Sequence, residues 1–190
     1  MAHLRLDRLA ANWVYGGVLA AVILLALTPL LADGRGWVFL LTWLCLPVYM
    51  IHQYEEHDDD RFRSFVNDMV PAGRAGLTIG DVFFVNFVGV WVLLAATLWL
   101  TVRLDPGWAT LALYLVGINA LVHVGQAAGR RDYNPGLATS VALFLPLALA
   151  LAAVVPASLV QHLLSAAAIV ALHAAILARA MRKAPRAPHA

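Results

Sequence analysis

The sequence predicts an all-α membrane protein, a bundle of about six transmembrane helices forming one domain over residues 1–190. Three observations predict it. Of the 190 residues, 62% are hydrophobic and 13% charged, with a mean hydropathy of +0.78, which is more apolar surface than a soluble domain of this length can hide. Apolar runs of about twenty residues, the length that crosses a bilayer, recur along the whole chain. Basic residues cluster in every second connection, as they do when successive spans cross in alternate directions.

The first span is read at 13–32; its length suits a retained helix rather than the shorter apolar region of a cleaved signal. "DGRG" (Asp33–Gly36) breaks it. The second runs 37–57 and ends in a charged stretch, and "PAGRAG" (Pro71–Gly76) punctuates the long loop that follows. The third, 78–102, stops before "DPG" (Asp105–Gly107). The fourth, 108–129, stops before "NPG" (Asn134–Gly136). The fifth and sixth, 137–155 and 157–181, meet at Val155–Pro156 with almost no polar linker, so that one re-entrant segment is the alternative there. Arg5, Arg8, Arg61, Arg63, Arg74, Arg130, Arg131, Arg179, Arg182, Lys183 and Arg186 fall on one side, against Arg35 and Arg103 on the other. The positive-inside rule then puts both termini in the cytoplasm, with the protein multi-pass in the cytoplasmic membrane.

The lone Cys45 excludes an intrachain disulfide and a cysteine-cluster metal site. The sequence pI near 9.0 gives no case for a nucleic-acid partner, because the arginines are spread between apolar segments.

The second span carries the most informative stretch, "MIHQYEEHDDD" (Met50–Asp60). The apolar run before it, 37–51, makes only about 22 Å of helix, whereas the hydrocarbon core is about 30 Å thick. The helix must therefore carry His52, Glu55 and Glu56 into the edge of the core. These residues follow i, i+3, i+4 spacing and share a face, with Cys45 two turns earlier and Asp59 joining if the helix runs on; Gln53, Tyr54 and His57 point elsewhere on this phasing. Carboxylates at membrane depth are costly unless something offsets their charge. A divalent cation, a shared proton, or Arg61 or Arg63 are the candidates. For Asp58–Asp60 a solvated helix end is the simpler account.

Other spans bring polar groups to a similar depth. Asn119, His123 and Gln126 form a stripe on the fourth, Asn86 lies on the third, Thr139 and Ser140 open the fifth, and His173 lies on the sixth. Interhelical hydrogen bonding alone would also explain such groups. His162 lies near the opposite face and is excluded from the site.

"HQYEE" (His52–Glu56) fits the pattern H-x-x-E-E, and the segment from His123 to "YNPG" (Tyr133–Gly136) supplies a second motif. With these, the chain resembles the HXXEE family of small bacterial integral-membrane proteins. The resemblance implies that His52, Glu55 and Glu56 are the residues of interest and implies no reaction. The layout also resembles that of CAAX-processing intramembrane proteases, but Arg61 lies one residue beyond the position that their E-E-x-x-x-R pattern requires.

The expected function is a metal-dependent membrane enzyme acting on a membrane lipid or other membrane-soluble substrate from the cytoplasmic side. The metal-ligand candidates are His52, Glu55, Glu56, His123 and His173. Glu56, Glu55 and Asn119 are the catalytic candidates: Glu56 as general base or bridging ligand, Glu55 as ligand, Asn119 as an orienting group. Zinc is expected first, with hydrolysis or group transfer, and iron second, with oxygen chemistry. A proton- or metal-coupled transporter is the alternative; a non-catalytic membrane partner is the third reading.

Overall fold

A computed structural model describes residues 5–183, so Arg186, counted above among the basic residues, lies outside the described residues. Six helices are long and apolar enough to cross a membrane, and the described residues form no strand, only an isolated bridge between Arg74 and Lys183. The helices are α1 (Leu6–Ala32), α2 (Trp37–His57), a short α3 (Arg61–Asp68), α4 (Ile79–Arg103), α5 (Pro106–Arg130), α6 (Leu137–Val154) and α7 (Leu159–Ala180). The Val155–Pro156 break is real. Val155 is extended, and Ser158 opens α7 with a capping box to Gln161.

The bundle wears its apolar residues outside. Leu19, Leu30, Phe84, Leu149 and Leu163 are all exposed, an arrangement suited to lipid and costly in water. Inside, α2 and α5 share a core with α4, α6 and α7 built on Cys45, Leu94, Leu115, Phe144, Leu151 and Ile169. α1 packs against α2 and α4.

Both ends of the described chain meet at the same end of the bundle. Tyr15 donates to Asp58 (3.2 Å), and the Arg74–Gly76 loop bonds to the last turn of α7 through Ala75 N–H to the Arg182 carbonyl (2.9 Å) and Gly76 N–H to the Ala180 carbonyl (3.1 Å). This basic end carries Arg61, Arg63, Arg74, Arg130, Arg179 and Lys183; at the other, Arg35 lies in the α1–α2 loop and Arg103 closes α4.

α2 ends where the 37–57 span expects it to end, and Gln53 departs from its expected face. α2 stops at His57, because Asp59 (φ 54°) and Asp60 (φ 59°) turn left-handed, a conformation that short polar side chains tolerate. Asp59 therefore does not extend the face of His52. The loop beyond holds α3, whose Phe62 and Val66 pack under α1 and α4 near Trp13 and Val82. Its arginines pair locally, Arg61 with Asp58 and Arg63 with Asp60, and neither reaches the α2 glutamates.

Gln53, expected to face away, is fully buried and links α2 to α4. It donates to Asn86 (2.7 Å) and accepts from the Trp91 indole (2.6 Å), and Trp91 is carried by a π turn over Phe87–Val92. Such turns shift the helix phase, here bringing Trp91 round to α2. Replacing Gln53 by Leu leaves the Trp91 N–H and the Asn86 carbonyl without partners. It is expected to destabilise the bundle by about 1–2 kcal/mol in a detergent-unfolding titration.

Candidate metal centre

α2 presents Glu56 at its buried end, 5% exposed, with an imidazole on each side along the chain. His52 lies one turn earlier, its Nε2 3.5 Å from Glu56 Oε2; His57 follows directly, its Nε2 3.0 Å from the same oxygen. From α5, His123 brings Nε2 to 3.4 Å from Glu56 Oε1. One ligand atom each from His52, Glu56 and His123 lie within 4.8 Å of one another, and all three residues are buried.

The far sides of the rings are held. His123 Nδ1 lies 2.7 Å from Asn134 Oδ1, and the Asn134 amide donates to the His123 carbonyl (2.9 Å), which fixes Oδ1 as the atom facing the ring. An amide oxygen only accepts, so His123 Nδ1 carries a proton. His52 Nδ1 lies 2.8 Å from Thr139 Oγ1, whose single proton goes to Glu55, so here too Nδ1 is the donor. Both rings therefore turn Nε2 towards the Glu56 carboxylate. His52 Nε2 and His57 Nε2 are buried without a hydrogen-bond partner. A carboxylate ringed by imidazole nitrogens is a donor set that a divalent cation or shared protons can satisfy.

Glu55 has a different task. Adjacent helical residues point about 100° apart, so the two glutamates cannot aim at one point. Glu55 turns to the segment before α6. It accepts from the Ala138 N–H (3.0 Å), the Thr139 N–H (2.7 Å), and the Thr139 and Tyr133 hydroxyls. Two of these donors belong to the open first turn of α6, which a carboxylate satisfies and whose dipole it complements. Glu55 thus sets the position of Thr139, and Thr139 sets His52.

The "YNPG" turn completes the arrangement. Asn134, Pro135, Gly136 and Leu137 form a type II turn closed by the Leu137 N–H on the Asn134 carbonyl (3.1 Å), with Gly136 at φ 94°. A Cβ on Gly136 would stand 2.8 Å from Cε1 of both His52 and His123. Glycine is required there twice over, for the turn and for the two rings. A π turn over Ser140–Phe144, ahead of Pro146, which lacks the N–H to continue the ladder, lays Phe144 against His52 (ring centroids 4.3 Å apart).

Tyr133 covers this segment from outside. Partial burial, and then its bond to the Glu55 carboxylate, push its phenol up to about 12. The folded protein holds this proton where an unfolded tyrosine, near 10, has lost it. The clasp's contribution is therefore complete below about pH 10 and is lost as pH rises through about 12. The ultraviolet difference titration between wild type and Tyr133→Phe is expected to show one tyrosine with a midpoint near 12.

A cavity of about 500 Å³ adjoins the cluster, bounded by α4, α5 and α7, with Glu56, His57 and His123 in its wall. Asn119 borders it and donates to the Tyr49 hydroxyl (2.9 Å), while its own Oδ1 is left without a partner. Gln126 also lines it. His173 borders the cavity but stands apart from the cluster, its Nδ1 bonded to the Ile169 carbonyl (2.8 Å). The phasing that favoured His52, Glu55 and Glu56 missed His57, Asn134 and Gly136. The buried residues of α2 pair as His52–Gln53 and Glu56–His57, one turn apart, and that adjacency is the signal that finds His57.

Residues 43–151, more than half of the chain, match the family described as "Protein of unknown function with HXXEE motif". No curated protein and no solved structure matches.

Proposed function

The chain belongs to the HXXEE-motif family, and from the site it carries we propose a metal-dependent integral-membrane enzyme that acts on a lipid-like substrate. The observation that carries this reading is the pair of Nδ1-protonated imidazoles, His52 and His123, whose Nε2 atoms converge on Glu56 in a buried site. Ligand atoms about 2.0–2.1 Å from one tetrahedral ion are about 3.4 Å apart. The Nε2–carboxylate separations, 3.5 Å from His52 to Oε2 and 3.4 Å from His123 to Oε1, are near that spacing, each to a different oxygen of Glu56.

His52, Glu56 and His123 are the proposed ligands. Two imidazoles and one carboxylate suit zinc in a hydrolytic site and leave an open position for water, which the ion would activate. Oxygen chemistry at paired irons draws on several carboxylates, and this cluster has one. His57 stands beside Glu56, Thr139 and Asn134 orient the rings, and Asn119 faces the substrate space. The packed core around Leu94 and Leu151, outside the cavity's lining, favours an enzyme over a transporter, since it blocks a path beyond the cavity's apolar end. We place the basic end in the cytoplasm of a bacterium, with the cluster at that side of the inner membrane.

Elemental analysis of protein purified in mild detergent without chelator tests the proposal. The expected result is close to one equivalent of zinc, absent from the His52→Ala/Glu56→Ala variant. Protein that stays metal-free after reconstitution with zinc and with iron overturns it.

A further inference from the structure

The shape of the cavity says more than its volume. Along α7 its wall runs from Val170 to Ala180, about 15 Å of helix, which is the depth of one leaflet's hydrocarbon. Its polarity changes along that length. Glu56, His123, Asn119 and Gln126 stand together part-way along, while the stretch beyond them is walled by Val90, Leu115, Ile118 and Leu172. From His123 to Leu115 along α5 is about 12 Å.

The cavity is shut on one side and open on another. α7 closes on α4 through Arg179–Asp81 (2.6 Å) and through Ile176 and Ala180 packed with Val82. α7 meets α5 near the opposite end, where Thr110 bonds Ser165 (2.8 Å) and Tyr114 bonds His162 (3.0 Å). Between the other halves of α5 and α7 the lining residues Val122, Val170 and Leu177 are also exposed on the lipid-facing surface, at 39%, 56% and 65%.

We infer that this cavity is a slot for one hydrocarbon chain of a membrane lipid, entered sideways between α5 and α7, which sets the reacting bond at the junction of head and chain. The last carbons of the chain fill the apolar stretch down to Leu115, the carbons above them pass Asn119, and the junction then lies level with His123 and Glu56. A chain lying deeper would require a longer apolar stretch below the cluster. The placing of the reacting bond rests on the proposed metal centre; the slot itself does not.

The test uses the full chain in vesicles of phosphatidylethanolamine that carries a diazirine at the end of one acyl chain. After irradiation, labelled peptides are mapped by mass spectrometry, and bound metal is measured on the same preparation. The expected wild-type label falls on Leu115, which is 1% exposed and out of reach of lipid outside the bundle. Leu115→Trp fills the slot's floor and Val170→Trp obstructs its rim. Each should lower that label about tenfold, the cost of roughly two displaced methylenes, with the label on outward-facing Leu149 unchanged. Val170 is exposed, so its variant keeps the test decisive if Leu115→Trp fails to fold. A diazirine at the first chain carbon should label the Val122–Gln126 stretch instead. Label confined to Leu149 and Leu163 in every variant overturns the slot. Label on Leu115 in protein that binds no metal keeps the slot and overturns the placing of the reacting bond.

Discussion

Glu56→Gln is expected to abolish metal binding, and Glu55→Gln to leave it stoichiometric, although the two residues are neighbours in one motif. Glu56 is 5% exposed and faces the Nε2 atoms of His52, His57 and His123. Its amide would offer an N–H₂ and a weak neutral oxygen where a charged ligand is needed, and a site reduced to two histidines loses most of its affinity for zinc. Glu55 is part-exposed and spends its carboxylate on Tyr133, Ala138 and Thr139. Its amide keeps one acceptor and puts donors against donors, so the segment before α6 loosens. The expected cost is about 1–3 kcal/mol of stability, with a weaker but measurable metal affinity because Thr139 still reaches His52. Elemental analysis and detergent unfolding of the two variants side by side separate these outcomes. Equal metal loss in both would show that the carboxylates share one ion and that the division of labour between them is wrong.

The two variants also mark where the sequence could be read and where it could not. The six spans were legible because crossing a bilayer demands long apolar runs, and Gly and Pro at the breaks leave few alternatives. That His52, Glu56 and His123 share a level was legible, the first two from the short apolar run ahead of the motif and His123 from its place near the end of its own span. Which glutamate faces inward was not, because phase along a helix is known only to about one residue's 100° until a partner fixes it. The partners that fix it lie far along the chain: Thr139 for His52 and Glu55, Asn86 and Trp91 for Gln53. The π turns near Trp91 and Phe144 shift phase again, and only Pro146 hints at the second. The pairing of His123 with Asn134 spans only the α5–α6 turn, so of the hidden contacts it is the one a closer reading of "YNPG" could reach.

Gly136→Ala should have an effect out of proportion to a single methyl group. At φ 94° an alanine is strained by about 1–2 kcal/mol even in open space. Here the space is also taken, with Cε1 of His52 and of His123 each 2.8 Å from where the methyl would stand. Neither ring is the free end of a flexible chain: Thr139 holds one, Asn134 holds the other, and both are buried. The backbone of the turn must move instead, and it cannot do so without disturbing the Asn134 and Thr139 contacts that orient the rings. The expected result is a fall in zinc affinity of about 10–100-fold, the range for lost outer-shell support, with a stability loss of about 1–3 kcal/mol and the helical content of the bundle retained. Gly34, also at positive φ but with open space around it, is the control, since an alanine there carries the backbone strain without touching the site. If the two variants bind zinc alike, the turn is scenery and the rings are held by their own helices. If only Gly136→Ala loses metal, the "YNPG" turn of this chain exists to seat His52 and His123.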